Sequence, residues 1–317
     1  MSILFLTLLA LAPPIGFLIY ILRFDRIEPE PMGFVARLLF LGVLSVVPAA
    51  LIEGLFLECP LFAGEGLVQA GLQSFLVIAP VEEVMKLLVV LLFAWRSRNF
   101  NEPNDGIVYA GAVSIGFAMA ENVLYVLEHG FGVGVARALT AIPGHTFTGV
   151  LMGRYIGVAR FAHPRSRRIG YVTAGLLLAW LLHGLYDTFV LSGTGWALMV
   201  VPMVVLYFVM GIRYLKQGHA MSAQRWGTGG ASAVTAVQRT PTRRTGFRRV
   251  VARVLLTLSG VFWLLIIAGV IHDAAVGARD SGYALLGGVL ITALPITLGV
   301  LLEASGRRAV KTRENSG

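Results

Sequence analysis

Charged residues are scarce in this sequence, and cysteine is almost absent. Only 14% of the 317 residues are Asp, Glu, Lys or Arg, whereas 56% are hydrophobic and the mean hydropathy is +0.77. Soluble domains carry about 25% charged residues, so this composition excludes an ordinary soluble globular fold. Cys59 is the single cysteine, which excludes an intrachain disulfide and a metal cluster built on cysteines. The sequence therefore predicts an integral membrane protein.

Apolar runs long enough to cross a bilayer follow one another along most of the chain. A spanning helix needs about 20 such residues, and about nine runs satisfy this. They cover residues 2–22, 33–57, 66–95, 107–128, 132–157, 170–191, 195–214, 251–271 and 283–302. The first run lacks a basic leader and a small-residue cleavage site, so we expect a retained span. We predict an all-α, polytopic helical bundle. A total of eight spans instead of nine stays open, because the boundary between the sixth and seventh runs near residue 195 is weakly marked.

Basic residues are concentrated in every second connection between these runs. The rich connections begin at Arg23, Arg96, Arg160 and Arg213, and the C-terminal tail is basic as well. The positive-inside rule then predicts the N-terminus outside and the C-terminus in the cytoplasm. We therefore attribute the net charge of +9 to basic residues that set the membrane topology, and not to nucleic-acid binding. The basic loops are expected to contact anionic lipids.

One long polar stretch divides the chain. Residues 217–249 are rich in Gly, Ser, Thr, Ala and Arg and have few large apolar side chains, a composition that cannot bury a core and favours disorder. We predict four parts along the chain. They are a seven-helix membrane core at 1–215, a basic flexible cytoplasmic linker at 216–250, a two-helix membrane hairpin at 251–304 and a basic tail at 305–317.

Two adjacent carboxylates and an amine lie inside the third apolar run, at Glu82, Glu83 and Lys86. A charge at the centre of a bilayer costs about 2.5–3.5 kcal/mol on insertion scales, so such residues indicate function unless partners explain them. Glu82 and Lys86 are four residues apart and can pair on one helix face. Neighbouring carboxylates that cannot both ionise cheaply would poise one as a general base. The structural alternative is an ion pair that holds helices together.

Three later runs carry candidate partners for these groups. The fourth run contains Phe117 followed by Glu121 and Asn122, and the fifth contains His145 in its middle. Asn122 can donate and accept hydrogen bonds between helices. A lone histidine in an apolar run is usually a packing residue, but here neighbouring carboxylates need a partner. We therefore expect these side chains to face the third run.

The sixth run contains His183 and Asp187, whose spacing of four places them on one helix face. That spacing suits two metal ligands, or an imidazole oriented by a carboxylate. Unpaired, the intramembrane carboxylates would together cost on the order of 10 kcal/mol, so convergence on one buried polar site is expected. The predicted catalytic residues are Glu82, Glu83, Glu121, His145, His183 and Asp187, with Lys86, Asn122 and Phe117 supporting them.

Two chemistries fit such a site. In the first, a glutamate activates water while histidine and asparagine stabilise the oxyanion, without a metal. In the second, one divalent metal, most simply zinc, activates the water. Its candidate ligands are His145, His183, Asp187 and Glu121. Spacing alone leaves both open.

The order of these motifs resembles the PrsW family of intramembrane proteases, a branch of the superfamily that includes the CAAX prenyl endopeptidases. The resemblance rests on Glu82-Glu83-x-x-Lys86, Phe117-x-x-x-Glu121-Asn122, His145 and His183-x-x-x-Asp187. The acidic, proline-containing loop at residues 23–31 is also similar to the first cytoplasmic loop of that family. The similarity covers residues 1 to about 215. Each motif alone is weak, but four in order on consecutive spans are specific.

The resemblance implies hydrolysis of a peptide bond in a single-span membrane protein, such as first-site cleavage of an anti-sigma factor, in a bacterial inner membrane. A prenyl-endopeptidase activity is a weaker alternative, since Glu121-Asn122 stands where that branch would place a histidine. A proton-coupled transporter is a second alternative, because chains of buried Glu, His and Asp also relay protons. A membrane scaffold without catalysis is the third.

Overall fold

The computed structural model describes residues 3–226, and this part of the chain is helical with no β-strand. The predicted spans at 251–271 and 283–302 and the tail lie outside the described residues. Nine helices are present in the described part: α1 (Ile3–Leu22), α2 (Met32–Leu57), α3 (Leu67–Gln73), α4 (Ala79–Val89), α5 (Pro103–His129), α6 (Phe131–Leu139), α7 (Ala141–Arg160), α8 (Arg165–Leu191) and α9 (Val200–Trp226). Single 3₁₀ turns lie at Pro60–Phe62 and Gly195–Met199.

Four helical stretches are long and apolar enough to cross a membrane: Met32–Leu57, Pro103–His129, Arg165–Leu191 and Gly195–Trp226. The outward side of α2 is strongly exposed at Phe40, Val47, Leu51 and Leu55. Apolar side chains exposed along a whole helix are costly in water but suit lipid tails. The described part is therefore a multi-pass membrane protein.

Two of the predicted runs are interrupted helices. In the third run, a π-helical turn at Ser74–Ile78 joins α3 to α4. Pro80 lies in the first turn of α4 and has no N–H to donate to the carbonyl four residues before it, so regular α-helical hydrogen bonding is interrupted there. The fifth run, expected as one helix, is instead α6 and α7 with Thr140 between them. Here Pro143 has no N–H to offer Leu139, so the helix starts anew.

Helix α5 lies at the centre and packs against α1, α2 and α7, while α7 also packs against α8 and α9. Small residues permit the close α5–α7 contact. A Cβ atom added to Gly106 would overlap the backbone of Gly153 and Gly157, and one added to Gly157 would overlap the Pro103 carbonyl. Such close backbone approach is typical of helix packing in membranes. These glycine contacts hold α5 and α7 close together.

The last described helix continues past residue 215, where a linker was expected to begin, as far as Trp226. Its inner side is packed rather than solvated: Leu215 and Ser222 are buried, and Gly218 lies against Asn104 of α5. Residues 216–226 are therefore helical, because tertiary packing stabilises a segment whose composition alone predicts a polar loop.

Candidate active site

Helix α4 presents Glu82, Glu83 and Lys86 to the inside of the bundle, where all three are buried. The Lys86 ammonium donates to Glu82 Oε2 (3.0 Å) and Glu83 Oε1 (2.8 Å). Its third contact, at 3.1 Å, is His145 Nδ1 on α7. A lysine has three N–H donors, so this ammonium is fully satisfied. The ring of Phe117 lies 4.4 Å from Nζ, which adds a cation–π contact.

His183 of α8 meets the same carboxylates from the other side. Its Nδ1 is hydrogen-bonded to Glu83 Oε1 at 2.9 Å, and its Nε2 lies 3.2 Å from Asp187 Oδ2. Glu82 Oε2 is 3.8 Å from His183 Nε2 and 3.9 Å from His145 Nδ1. The two imidazole rings are edge to face, with centroids 4.9 Å apart. The predicted convergence of α4, α7 and α8 is thus present.

Glu121 of α5 closes the far side of the cluster. Its Oε2 lies 2.8 Å from His145 Nε2 and its Oε1 lies 3.0 Å from Arg137 Nη2. Because Lys86 donates to His145 Nδ1, we assign the histidine proton to Nε2, facing Glu121. Carboxylates therefore orient both rings: Glu121 contacts one nitrogen of His145, and Glu83 and Asp187 contact the two nitrogens of His183.

Asn122 stands apart from the cluster. Its amide donates to the Ala10 carbonyl of α1 at 2.8 Å, and its oxygen accepts from Arg137 Nε at 3.1 Å. Both ends of the amide are engaged in joining α1, α5 and α6. In this structure the side chain does not point a donor at the Glu82–His183 group, so the predicted oxyanion contact by Asn122 is absent.

Comparison with known proteins shows the family of this chain. Residues 30–213 match the model of a family described as PrsW family intramembrane metalloprotease. The chain belongs to the PrsW family. It is 37% identical over 207 residues to Protease PrsW of Geobacillus kaustophilus, an alignment that covers 65% of this chain and 88% of the relative. For Protease PrsW of Bacillus subtilis the identity is 34% over 212 residues, or 67% and 94% of the two chains. No solved structure matches.

Membership of the PrsW family supports activity as a membrane-embedded endopeptidase. Protease PrsW of Clostridioides difficile is a further relative, 30% identical over 208 residues, with 64% of this chain and 87% of that protein aligned. The aligned regions include the spans that carry the buried cluster, α4 to α8. Residues 227–317 lie beyond the family match.

The family description implies a metal, and the types of donor atom in this PrsW-family site fit one. In this structure His145 Nδ1 and Glu82 Oε2 accept hydrogen bonds from Lys86, so a metal at these atoms would displace the ammonium. Glu82, His145 and His183 each offer a ligand atom, and these three atoms lie within 4.8 Å of one another in a buried position. Two nitrogens and one carboxylate oxygen form a donor set that zinc uses in hydrolases. Glu83 and Glu121 lie against the remaining histidine nitrogens, as outer carboxylates of metal-bound histidines do.

This set differs from the ligands that the sequence suggested. Both histidines belong to it, but Glu82 replaces Asp187 and Glu121, which contact the histidines from outside. Helix spacing placed Asp187 beside His183 correctly. It could not show that Glu82, on another helix, lies nearer the space between the rings.

Sequence reasoning missed two ionisable residues of this PrsW-family site. Arg137 on the short helix α6 pairs with Glu121, and its guanidinium stacks 4.1 Å from the Tyr125 ring centroid. Glu53 on α2 is electrostatically coupled to Glu82, and its Oε1 is buried without a hydrogen-bond partner. Both lie within predicted apolar runs, so the signal used for the other intramembrane charges would also have found them.

A small cavity opens beside the two imidazoles. Its walls are Ala141, Gly144, His145, Thr148, His183, Tyr186 and Tyr207. The Tyr207 hydroxyl donates to the Leu182 carbonyl, and the Tyr186 hydroxyl donates to Thr140. The phenols are thereby fixed by bonds to backbone and side chain. The cavity thus lies against the edge of the histidine pair.

Proposed function

We propose that this protein hydrolyses a peptide bond of a membrane-bound protein, using a water molecule activated at the Glu82–Glu83–His145–His183 cluster. The observation that carries the proposal is the meeting of two carboxylates and two imidazoles from three helices inside a bundle that spans the membrane. Burying ionisable groups within membrane spans is expensive, and such residues are by default candidates for a functional site. The family match supplies the reaction class.

We assign the residues distinct roles. Glu83 accepts hydrogen bonds at Oε1, while its Oε2 is buried without a partner and would take the proton of the attacking water. Lys86 holds both carboxylates in place. A divalent metal held by Glu82, His145 and His183, with zinc as first choice, would lower the pKa of a bound water to about 7. Without a metal, the same carboxylates would act as the general base.

The substrate that we propose is a single-span membrane protein, with an anti-sigma factor as the first to test. A transmembrane substrate can reach a site between helices by lateral movement in the bilayer, whereas a soluble protein cannot. Arginine-rich connections are expected to hold the enzyme against anionic lipids of a bacterial inner membrane. No role for nucleic acid is proposed.

The test is cleavage of a tagged single-span substrate by the full chain in proteoliposomes. Glu83→Gln and His183→Ala should each lower the rate by about 10²–10⁴-fold, the usual value of general acid–base catalysis. Glu128→Gln is the matched control, because that carboxylate is 76% exposed at the end of α5. Full cleavage by both site variants would refute the proposal, and proton flux without cleavage would favour a transporter.

The same preparation decides between the two mechanisms. Metal content is measured in wild type and in the His145→Ala variant, and cleavage is assayed with and without a strong chelator. Stoichiometric metal that is lost with the histidine, together with inhibition by the chelator, would establish the metal-dependent mechanism. Undiminished activity in metal-free protein would establish the glutamate mechanism.

A further inference from the structure

A second group of carboxylates lies at the arginine-rich end of the bundle, far from the active site. Glu28 comes from the connection between α1 and α2, and Glu102 and Asp105 come from the start of α5. Each offers a carboxylate oxygen, and the three atoms lie within 4.8 Å of one another. Sixteen residues of α5 separate Asp105 from Glu121, or roughly 24 Å at 1.5 Å per residue. The two groups are therefore separate sites.

The carboxylate oxygens of this group are incompletely satisfied. Glu102 and Asp105 are fully buried. Glu28 Oε2, Asp105 Oδ1 and both carboxylate oxygens of Glu102 have no hydrogen-bond partner. The Asp105 N–H and the Ser222 and Trp226 side chains lie beside Glu102, and all three are neutral groups that leave the carboxylate charge uncompensated. Buried carboxylates left in this state are costly unless a cation or a proton compensates them.

The protein itself supplies no such cation in the described part of the chain. Arginines are numerous at this end, yet within residues 3–226 no Lys or Arg forms an ion pair with Glu28, Glu102 or Asp105. The neighbouring amide of Asn101 donates to Glu28 Oε1 at 3.1 Å and leaves its own Oδ1 buried without a partner. Within the described residues, the unpartnered buried atoms of Glu28, Asn101, Glu102 and Asp105 are all oxygens.

One nearby carboxylate is neutralised in another way. Burial raises the pKa of Glu30 to about 9, and the Tyr109 hydroxyl donates to it. Glu30 is therefore protonated at neutral pH and contributes no negative charge. Burial also raises the pKa of Glu102, so a proton competes with a cation for the carboxylates that remain, Glu28, Glu102 and Asp105.

We propose that Glu28, Glu102 and Asp105 form a binding site for a divalent cation that prefers oxygen ligands, of the Mg²⁺, Mn²⁺ or Ca²⁺ class. Carboxylate and amide oxygens are the ligands of these hard ions, whereas zinc favours nitrogen and sulfur. The ion would tie the acidic loop at residues 23–31 to the start of α5. This site is independent of the proposed protease chemistry.

The test uses Tb³⁺, a luminescent hard cation, on the purified full chain after removal of metals. Trp226 lies beside Glu102 and would sensitise a bound lanthanide. We expect saturable luminescence in wild type that Ca²⁺, Mg²⁺ or Mn²⁺ displaces. Glu28→Gln and Glu102→Gln should each weaken Tb³⁺ binding by at least about tenfold, since even indirect partners of a metal contribute that much.

Two further variants separate the sites. Glu82→Gln should keep the signal, because it alters only the Glu/His/His group, and the exposed Glu65 supplies a neutral control as Glu65→Gln. Melting temperature is recorded with and without Ca²⁺ or Mg²⁺, and the cation-dependent rise should vanish in Glu28→Gln. Glu28 is only partly buried, so this variant remains informative if Glu102→Gln fails to fold.

Three results would overturn the proposal. They are the absence of saturable luminescence in wild type, equal luminescence in Glu28→Gln, and a signal that disappears in Glu82→Gln but persists in Glu102→Gln. The first would show that the carboxylates are compensated by protons instead. The last would assign the bound ion to the active site.

Discussion

Lys86 offers the sharpest test of how the active site is held together. Its ammonium makes three contacts of 2.8–3.1 Å with Glu82, Glu83 and His145, and the side chain is fully buried. Lys86→Met keeps a similar volume but removes the charge. Breaking a buried ion pair by deleting one partner costs about 3–5 kcal/mol, because the other charge is left uncompensated. At about 2–4 °C per kcal/mol, the melting temperature should fall by roughly 6–20 °C.

A triple variant separates charge compensation from simple packing. If the loss arises from the stranded carboxylates, adding Glu82→Gln and Glu83→Gln to Lys86→Met should restore most of the stability while cleavage stays abolished. Thermal unfolding in detergent reports the first effect and proteoliposome cleavage the second. An unchanged melting temperature in Lys86→Met, or no recovery in the triple variant, would refute the reasoning.

The other predictions concern α6, the α5–α7 contact and the acidic loop. Arg137→Met leaves Glu121 without its cation, so cleavage should drop by about 10–100-fold, with partial recovery in Arg137→Lys. Gly157→Leu places a side chain on the Pro103 carbonyl and should cost at least about 1–3 kcal/mol by overpacking. Burial raises the pKa of Glu30 to about 9. The folded protein therefore keeps this proton up to about pH 9, whereas the unfolded chain loses it above about pH 4.5. In metal-free protein, stability should therefore fall as pH rises towards 9, and Glu30 contributes up to about 1.4 kcal/mol per unit. Glu30→Gln should reduce this slope, while other buried carboxyls with raised pKa values, such as Glu102, keep part of it.

Each of these has a matched control. Arg98→Met removes an arginine from an exposed connection and should leave cleavage unchanged, and Gly132→Ala adds a Cβ where nothing lies within 4 Å. For the pH series, Glu58→Gln replaces an exposed carboxyl and should keep the wild-type slope. Wild-type cleavage in Arg137→Met, an unshifted melting temperature in Gly157→Leu, or an identical slope in Glu30→Gln would contradict the respective argument.

The sequence determined the class of protein and the local pairs within single helices. Apolar runs of bilayer length depend on composition alone, and up to residue 214 the observed helices follow those predicted except for the interruptions in the third and fifth runs. Helix periodicity placed Lys86 beside Glu82, and Asp187 beside His183, because residues four apart share a face. The predicted inventory of buried charges also came from local sequence, since any ionisable residue within an apolar run is a candidate. The two C-terminal spans and the orientation in the membrane stay predictions.

Only the tertiary structure decided which groups from different helices face one another. Glu82, rather than Glu121, shares the space between the imidazoles, and Arg137 reaches Glu121 because the chain breaks at Thr140 and turns α6 inwards. Glu28 and Glu102 are more than seventy positions apart in sequence, and no spacing rule links them. Periodicity fixes the direction of a side chain relative to its own helix axis. The rotation and depth of each helix against its neighbours depend on close packing over the whole interface, including glycine contacts such as Gly106 with Gly153.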